Sequence, residues 1–231
     1  MTPAHLSTEL FETGYSVVPD LVNAAEITTL TRSVDGLRNQ SAGTRRLIDL
    51  PWCRKLAEYI ALDERLRAVL PVDPTPVQCT LFVKSIDKNW LVSLHQDLSI
   101  PVSERVDCPE CSGWSEKEGE IFVQAPSAVL QEILAVRVHL DDCDERNGAL
   151  RVVPGSHRLG RLTSGDALRE REARGEISVS VPKGGAMLMR PLLLHASSKA
   201  SMGSARRVLH FVLGPGKLPH GLHWRCRPGA V

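Results

Sequence analysis

Hydrophobic and polar positions fall into two textures along the chain. Up to about residue 75 the apolar residues recur at helical spacing. Ile27, Leu30, Val34 and Leu37 lie three or four apart, as one buried stripe of a helix requires. Ahead of them, Asn23-Ala-Ala-Glu26 has the form of a capping box. A second helical region runs from about Pro51 to Leu70, with Pro51 suited to a first turn and Pro71 stopping the pattern. Tyr15–Val18 reads as a short strand ended by Pro19.

From Val77 onward, short β-rich runs alternate with Gly, Pro, Asn and Asp. The candidate strands are Val77–Val83, Leu91–His95, Leu134–Leu140, Ala149–Val153, Ile177–Val181, Ala186–Met189, Leu192–His195 and Val208–Leu213. Many short strands at irregular spacing predict a sandwich or barrel. The polar stretch 101–126, with Pro109, Gly113 and Gly119, reads as a long loop and a candidate active-site lid. Asp166–Arg174 reads as a short surface helix. One domain is the simplest reading of residues 1–231. Residues 1–75 are then mainly helical support and residues 76–215 a β-barrel core.

Composition narrows the function classes. With 28 basic and 27 acidic side chains the formal charge is +1, so no broad field for nucleic acid or an anionic membrane is implied. No apolar run is long enough to span a bilayer, and the N-terminal stretch lacks the build of a signal peptide. A cytoplasmic protein acting on a small molecule is the expectation. The six cysteines include one CxxC, Cys108 and Cys111, with no second CxxC to complete a zinc site. Reduced thiols in a loop are expected there. The C-terminal His220-Gly-Leu-His223, near Pro219, Gly221, Pro228 and Gly229, reads as a solvated tail rather than a metal site.

The densest chemical signal is His95-Gln96-Asp97. Residues two apart in a strand point to one face, so an imidazole and a carboxylate can meet at a point. His195 lies 100 residues downstream, at the end of an apolar run. Two histidines and a carboxylate on one face of a metal leave positions open, the facial triad of non-haem Fe(II) oxygenases. A bidentate 2-oxo acid and O₂ would fill those openings. A co-substrate such as 2-oxoglutarate also needs a fixed cation for its distal carboxylate, which a guanidinium fork suits. Arg206 and Arg207 open a strand shortly after His195. Arg206 shares a face with Val208, His210 and Val212; Arg207 shares the other with Leu209, Phe211 and Leu213. Strand alternation leaves open which of the two points inward.

From roughly Thr80 to Leu213 the sequence resembles the phytanoyl-CoA dioxygenase family of Fe(II)/2-oxoglutarate oxygenases. His95-Gln-Asp97 matches the family's HxD motif. Asn147-Gly-Ala-Leu-Arg-Val-Val-Pro-Gly-Ser-His157 matches its NGxLxVxPGSH stretch. Gly184–His195 matches the strand pair delivering the distal histidine. Arg206 falls eleven residues after that histidine and Ser197 two after it, where the family places co-substrate contacts. The resemblance implies a double-stranded β-helix, or jelly roll, with iron at His95, Asp97 and His195. It implies 2-oxoglutarate at Arg206 and Ser197, with Gln96 nearby and Arg137 beside the co-substrate. Lys84 and Trp90 are candidate wall residues. His157 is left structural. Because the carboxylate ligand is present, which related halogenases lack, hydroxylation is preferred, with O₂ consumed and succinate and CO₂ released. Two rivals keep the fold: a metal enzyme that does not use 2-oxoglutarate, and a non-catalytic small-molecule binding barrel.

Overall fold

A computed structural model of the chain describes residues 2–37, 45–85, 89–201 and 206–225. Three helices come early: α1 (Pro3–Thr13), α2 (Ala24–Asp35) and α3 (Pro51–Leu62). The predicted capping box forms, with Asn23 Oδ1 accepting from Glu26 N–H and Glu26 Oε2 accepting from Asn23 N–H. Helix α3 stops well short of Leu70. Asp63 Oδ1 accepts from both the backbone N–H and the Nε of Arg65, an Asx-type turn that competes with helix continuation. Leu66 and Val69 are still buried beyond it, so the apolar spacing outlasts the helix.

The strands are β1 (Tyr15–Val18), β2 (Thr75–Lys84), β3 (Val92–His95), β4 (Ser99–Val102), β5 (Ser112–Lys117), β6 (Glu120–Gln124), β7 (Leu134–His139), β8 (Leu150–Val152), β9 (Ile177–Val179), β10 (Ala186–Met189), β11 (His195–Ser197) and β12 (Arg206–Gly214). Short helices α4 (Ser127–Gln131) and α5 (Ser164–Arg174) lie between them. A major sheet runs β1-β10-β7-β12-β2 and a minor sheet β3-β11-β8-β9. The paired strands are antiparallel, and the two sheets make the jelly roll.

Alternation along β7 and β12 divides the molecule. Leu134, Val136 and Val138 of β7, with Leu209, Phe211 and Leu213 of β12, join one core cluster with Leu10, Ile27, Leu30 and Ile60 of the helices. The opposite face of the same strands carries Arg137, Arg206 and His210, which turn toward a cavity between the sheets. The helices therefore cover one face of the major sheet and leave the other to chemistry.

Three expectations change. Residues 101–126 are not an irregular loop: β4, β6 and β5 form a third antiparallel sheet. Its hairpin turns on Glu118-Gly119, both at positive φ (54° and 75°), a two-residue turn with a weaker sequence signal than Asn-Gly. Cys108 and Cys111 are joined by a disulfide rather than free. The C-terminal segment is not a solvated tail up to Arg225. Leu222 and Trp224 are buried, Trp224 Nε1 donates to Pro215 O at 2.7 Å, and Trp224 bridges to Val102 of β4. Cys226, Pro228 and Gly229 lie outside the described residues. Among the described residues no helix is long and apolar enough to cross a membrane.

Candidate active site

His95 and His195 stand directly opposite each other in the β3–β11 pair, with ring centroids 4.2 Å apart. The predicted strand Leu192–His195 is displaced: Pro191–Leu193 form a turn, and His195 begins β11. Strand β3 ends at His95, so Asp97 is not a ladder residue. It converges with His95 because its N–H donates to Pro191 O at 2.9 Å, which anchors the extended chain beyond the strand. Asp97 Oδ1 lies 3.7 Å from His95 Nε2, and Asp97 Oδ2 lies 3.7 Å from His195 Nε2.

Backbone carbonyls fix the tautomers. His95 Nδ1 meets Ser93 O at 2.8 Å and His195 Nδ1 meets Leu193 O at 2.9 Å. A carbonyl only accepts, so each Nδ1 carries the hydrogen, which leaves Nε2 as the atom each ring turns toward Asp97. Burial pushes the His195 pKa down to about 4, against the pull of the Asp97 carboxylate, so the ring is neutral near pH 7. Burial opposes ionisation of Asp97, but His195, His210, His95 and Arg137 outweigh it and hold its carboxyl below the usual range. Two ring nitrogens and a carboxylate, all within 4.8 Å of one another, are disposed to share one cation.

These groups line a cavity of about 440 Å³ whose other wall is cationic. Arg206 and Lys84 face each other across the β12–β2 pair, both essentially buried. Like charges directly opposite destabilise a strand pair, and no salt bridge joins either to a carboxylate among the described residues. Lys84 Nζ donates to Ser197 Oγ at 2.5 Å and to Ser198 O. Ser197 Oγ donates to Gly148 O at 2.8 Å, and Arg206 Nη1 donates to the same carbonyl. Gly148, at φ +80°, has no room for a side chain: a Cβ there would stand 2.8 Å from Ser198 O and 3.0 Å from Lys84 Nζ. Gly148 of the NGxLxVxPGSH stretch thus packs directly behind Lys84, Arg206 and Ser197. Burial and the neighbouring Arg206 lower the Lys84 pKa to about 8.

Arg207 points to the other face, where Asp141 and Asp35 pair with it at 2.7 and 3.1 Å. The choice that alternation left open therefore falls to Arg206 as the cavity guanidinium. Arg137 is buried in the cavity wall, with Nη1 2.9 Å from His210 Nδ1 and Nε without a partner. Burial, with the nearby Arg206, lowers its pKa to about 10. His210 is a site residue that sequence reading left without a role, although its alternation with Arg206 already put it on the inward face. Burial first and Arg137 second push its pKa down to about 3, so it is a neutral acceptor for the guanidinium.

Gln96 lines the cavity beside the triad, as expected. Its amide donates to Gly160 O and Leu192 O at 2.8 and 2.7 Å and accepts from Leu162 N–H at 2.9 Å. Those bonds clasp the loops around His95 and Asp97. The PGSH segment is a second clasp. Ser156 Oγ accepts from Leu194 N–H next to His195, and His157 Nε2 meets Phe11 O at 3.1 Å, away from the triad. Trp90 lines the cavity, its ring 5.9 Å from Lys84 Nζ.

The fold recurs among solved structures. EctD from S. alaskensis with bound Fe is 18% identical, with 99% of this chain and 86% of that one covered and a TM-score of 0.72. SnoK, a non-haem alpha-ketoglutarate-dependent carbocyclase from nogalamycin biosynthesis, is 16% identical, covering 100% of this chain and 90% of that one, with a TM-score of 0.70. HygX from Streptomyces hygroscopicus with nickel and 2-oxoglutarate bound is 20% identical, covering 91% and 86%, with a TM-score of 0.61. Among curated proteins none matches the sequence. The family model described as Phytanoyl-CoA dioxygenase (PhyH) matches residues 11–208, most of the sequence. With the HxD pair, the distal histidine and the cavity arginine all inside that span, the chain belongs to the phytanoyl-CoA dioxygenase family of Fe(II)/2-oxoglutarate oxygenases.

Proposed function

We propose that this chain is an Fe(II)- and 2-oxoglutarate-dependent dioxygenase that hydroxylates a small organic molecule and releases succinate and CO₂. The observation that carries the reading is the pairing of two features in one cavity: a two-histidine, one-carboxylate donor set, and a buried cationic wall that no carboxylate among the described residues pairs. His95 Nε2, Asp97 and His195 Nε2 would hold the metal, whose role when bound is to couple O₂ and the 2-oxo acid to substrate oxidation. With three protein ligands, these residues would leave room at the metal for the 2-oxo acid and O₂.

The protein's own part is positioning. Arg206 and Lys84 would receive the distal carboxylate of 2-oxoglutarate, relieving their mutual repulsion. Ser197 and the Gly148 carbonyl fix both cations in the cavity wall. Arg137, aimed by His210, flanks the co-substrate. The Nδ1 bonds to Ser93 and Leu193 keep both imidazoles in the tautomer a metal needs. The third sheet contributes Ile100, Lys117 and Phe122 to the cavity wall, which limits water around the reacting groups. A relative described as a carbocyclase shares the fold, so the oxidation outcome rests on the substrate and its pose as well as on the site.

The two arginines of β12 give the test. Fe(II)-loaded wild type is expected to bind 2-oxoglutarate and release succinate in air. Arg206→Ala should abolish both, and Arg207→Ala should keep 2-oxoglutarate affinity while losing stability. Equal 2-oxoglutarate affinity in Arg206→Ala and wild type would instead favour a metal enzyme that does not use the 2-oxo acid. Absence of any Fe(II) affinity would favour a binding barrel.

A further inference from the structure

The CxxC of the β4–β5 connection does not line the cavity that holds His95 and His195, and the family reading gives it no task. In the fold it meets the C-terminal segment. Cys108 Sγ stands 3.9 Å from Glu110 Oε2, and Glu110 Oε2 stands 3.6 Å from His220 Nδ1. The sulfur, the carboxylate oxygen and the ring nitrogen all lie within 4.8 Å of one another. Cys111 is bonded to Cys108, so reduction would free a second sulfur beside this three-donor cluster.

We propose that Cys108, Cys111, Glu110 and His220 form a second metal site, for zinc, which becomes available when the Cys108–Cys111 disulfide is reduced.

Chemistry and geometry both point there. Thiolate, imidazole and carboxylate are the donors zinc takes, and C-x₂-C is the usual half of a structural site. With Zn–S about 2.3 Å and Zn–N or Zn–O about 2.0–2.1 Å, donors on a tetrahedral zinc stand roughly 3.3–3.8 Å apart. The contacts at His220 and Cys108 already fall near that spacing. The Cys108–Cys111 turn is closed by Cys111 N–H donating to Cys108 O at 3.0 Å. His220 is held at φ +57°, uncommon for a residue with a side chain. Its arm is fixed independently of the disulfide. Ser103 N–H donates to His223 O at 2.9 Å, Val102 bridges to Trp224, and Leu222 is buried. The fold itself brings the histidine to the cysteines across more than a hundred residues of chain.

The step balances with a dithiol reductant. Its two thiols give up two electrons and two protons and close to a disulfide; the Cys108–Cys111 bond opens to two thiols. Zinc binding then displaces both thiol protons as the sulfurs become thiolates. The metal would tie the third sheet, which carries Ile100, Lys117 and Phe122 to the cavity wall, to the C-terminal segment.

The full-length protein, reduced with a phosphine and handled without oxygen, is titrated with Co(II) as the spectroscopic stand-in for zinc. A thiolate-to-cobalt charge-transfer band reports sulfur ligation, which the His95–Asp97–His195 donors cannot produce. The band should appear in reduced wild type and in His195→Ala. It should be missing from unreduced protein and from Cys108→Ser/Cys111→Ser. In His220→Ala, cobalt affinity should fall roughly tenfold or more, since loss of even an outer partner of a metal ligand costs that much. Zinc should raise the melting temperature of reduced wild type but not of the double serine variant. A reduced protein with its thiols counted and no band, a band indifferent to His220→Ala, or a disulfide that the phosphine does not open would each overturn the proposal. The pair would then be a fixed surface staple.

Discussion

Gly148 contributes no side chain, yet Arg206, Ser197 and Lys84 all depend on it. Gly148→Ala adds a Cβ where Ser198 O and Lys84 Nζ stand, at a φ of +80° that L side chains rarely adopt. The expected outcome is a loss of 2-oxoglutarate affinity of about tenfold or more, equivalent to about 1.4 kcal/mol, with Fe(II) affinity kept, read by isothermal titration. Lys84 titrates within reach of experiment. Its folded pKa of about 8 lies below the unfolded value, so between those two values the unfolded chain holds more protons and stability rises with pH. Below about 8 the cost of the buried charge is fully present. Tm measured from pH 7 to pH 10 should therefore climb in wild type relative to Lys84→Met. Over the same range 2-oxoglutarate affinity should weaken in wild type as the Nζ proton is lost and stay flat in Lys84→Met. At this scale the period of a strand put Arg206 and Arg207 on opposite faces, but which of them faces the cavity was decided only by Asp141 and Asp35, which pair with Arg207. The partners of His210 and Gln96 were not readable, because they lie on other strands and loops.

Elements were legible in proportion to how much of their signal is local. The capping box at Asn23 and the β1 and β10 bounds follow from neighbouring residues and agree with the structure. The end of α3 does not, because Asp63 and Arg65 break the helix while the apolar spacing continues through Leu66 and Val69. The third sheet was hidden by polar residues and by a Glu-Gly turn. The C-terminal segment was hidden by its prolines and glycines, although Trp224 reaches under Gly214, which leaves it room. Trp224→Ala should cost about 3–5 kcal/mol, the range for truncating a buried aromatic, read by urea unfolding. Phe211→Ala should cost a similar amount from the helix-covered face, and should leave Fe(II) affinity unchanged because that side chain points away from the cavity.

For the whole molecule, two sheets hold two kinds of chemistry against each other. The minor sheet brings His95 and His195 into one cross-strand pair, and the major sheet brings Arg206, Lys84, Arg137 and His210 to the facing wall. On the proposed function neither half would work alone: a cation held by the triad would need a co-substrate oriented by the wall. Sequence order could name both halves through motif spacing, but only the folded register places them around one cavity. The most direct measurement is an anaerobic titration of 2-oxoglutarate into the Fe(II)-loaded protein, followed by the visible metal-to-ligand charge-transfer band. The account predicts a band that saturates at one equivalent in wild type and is lost in His195→Ala and in Asp97→Ala. A full-strength band in either variant, or none in iron-loaded wild type, would contradict it.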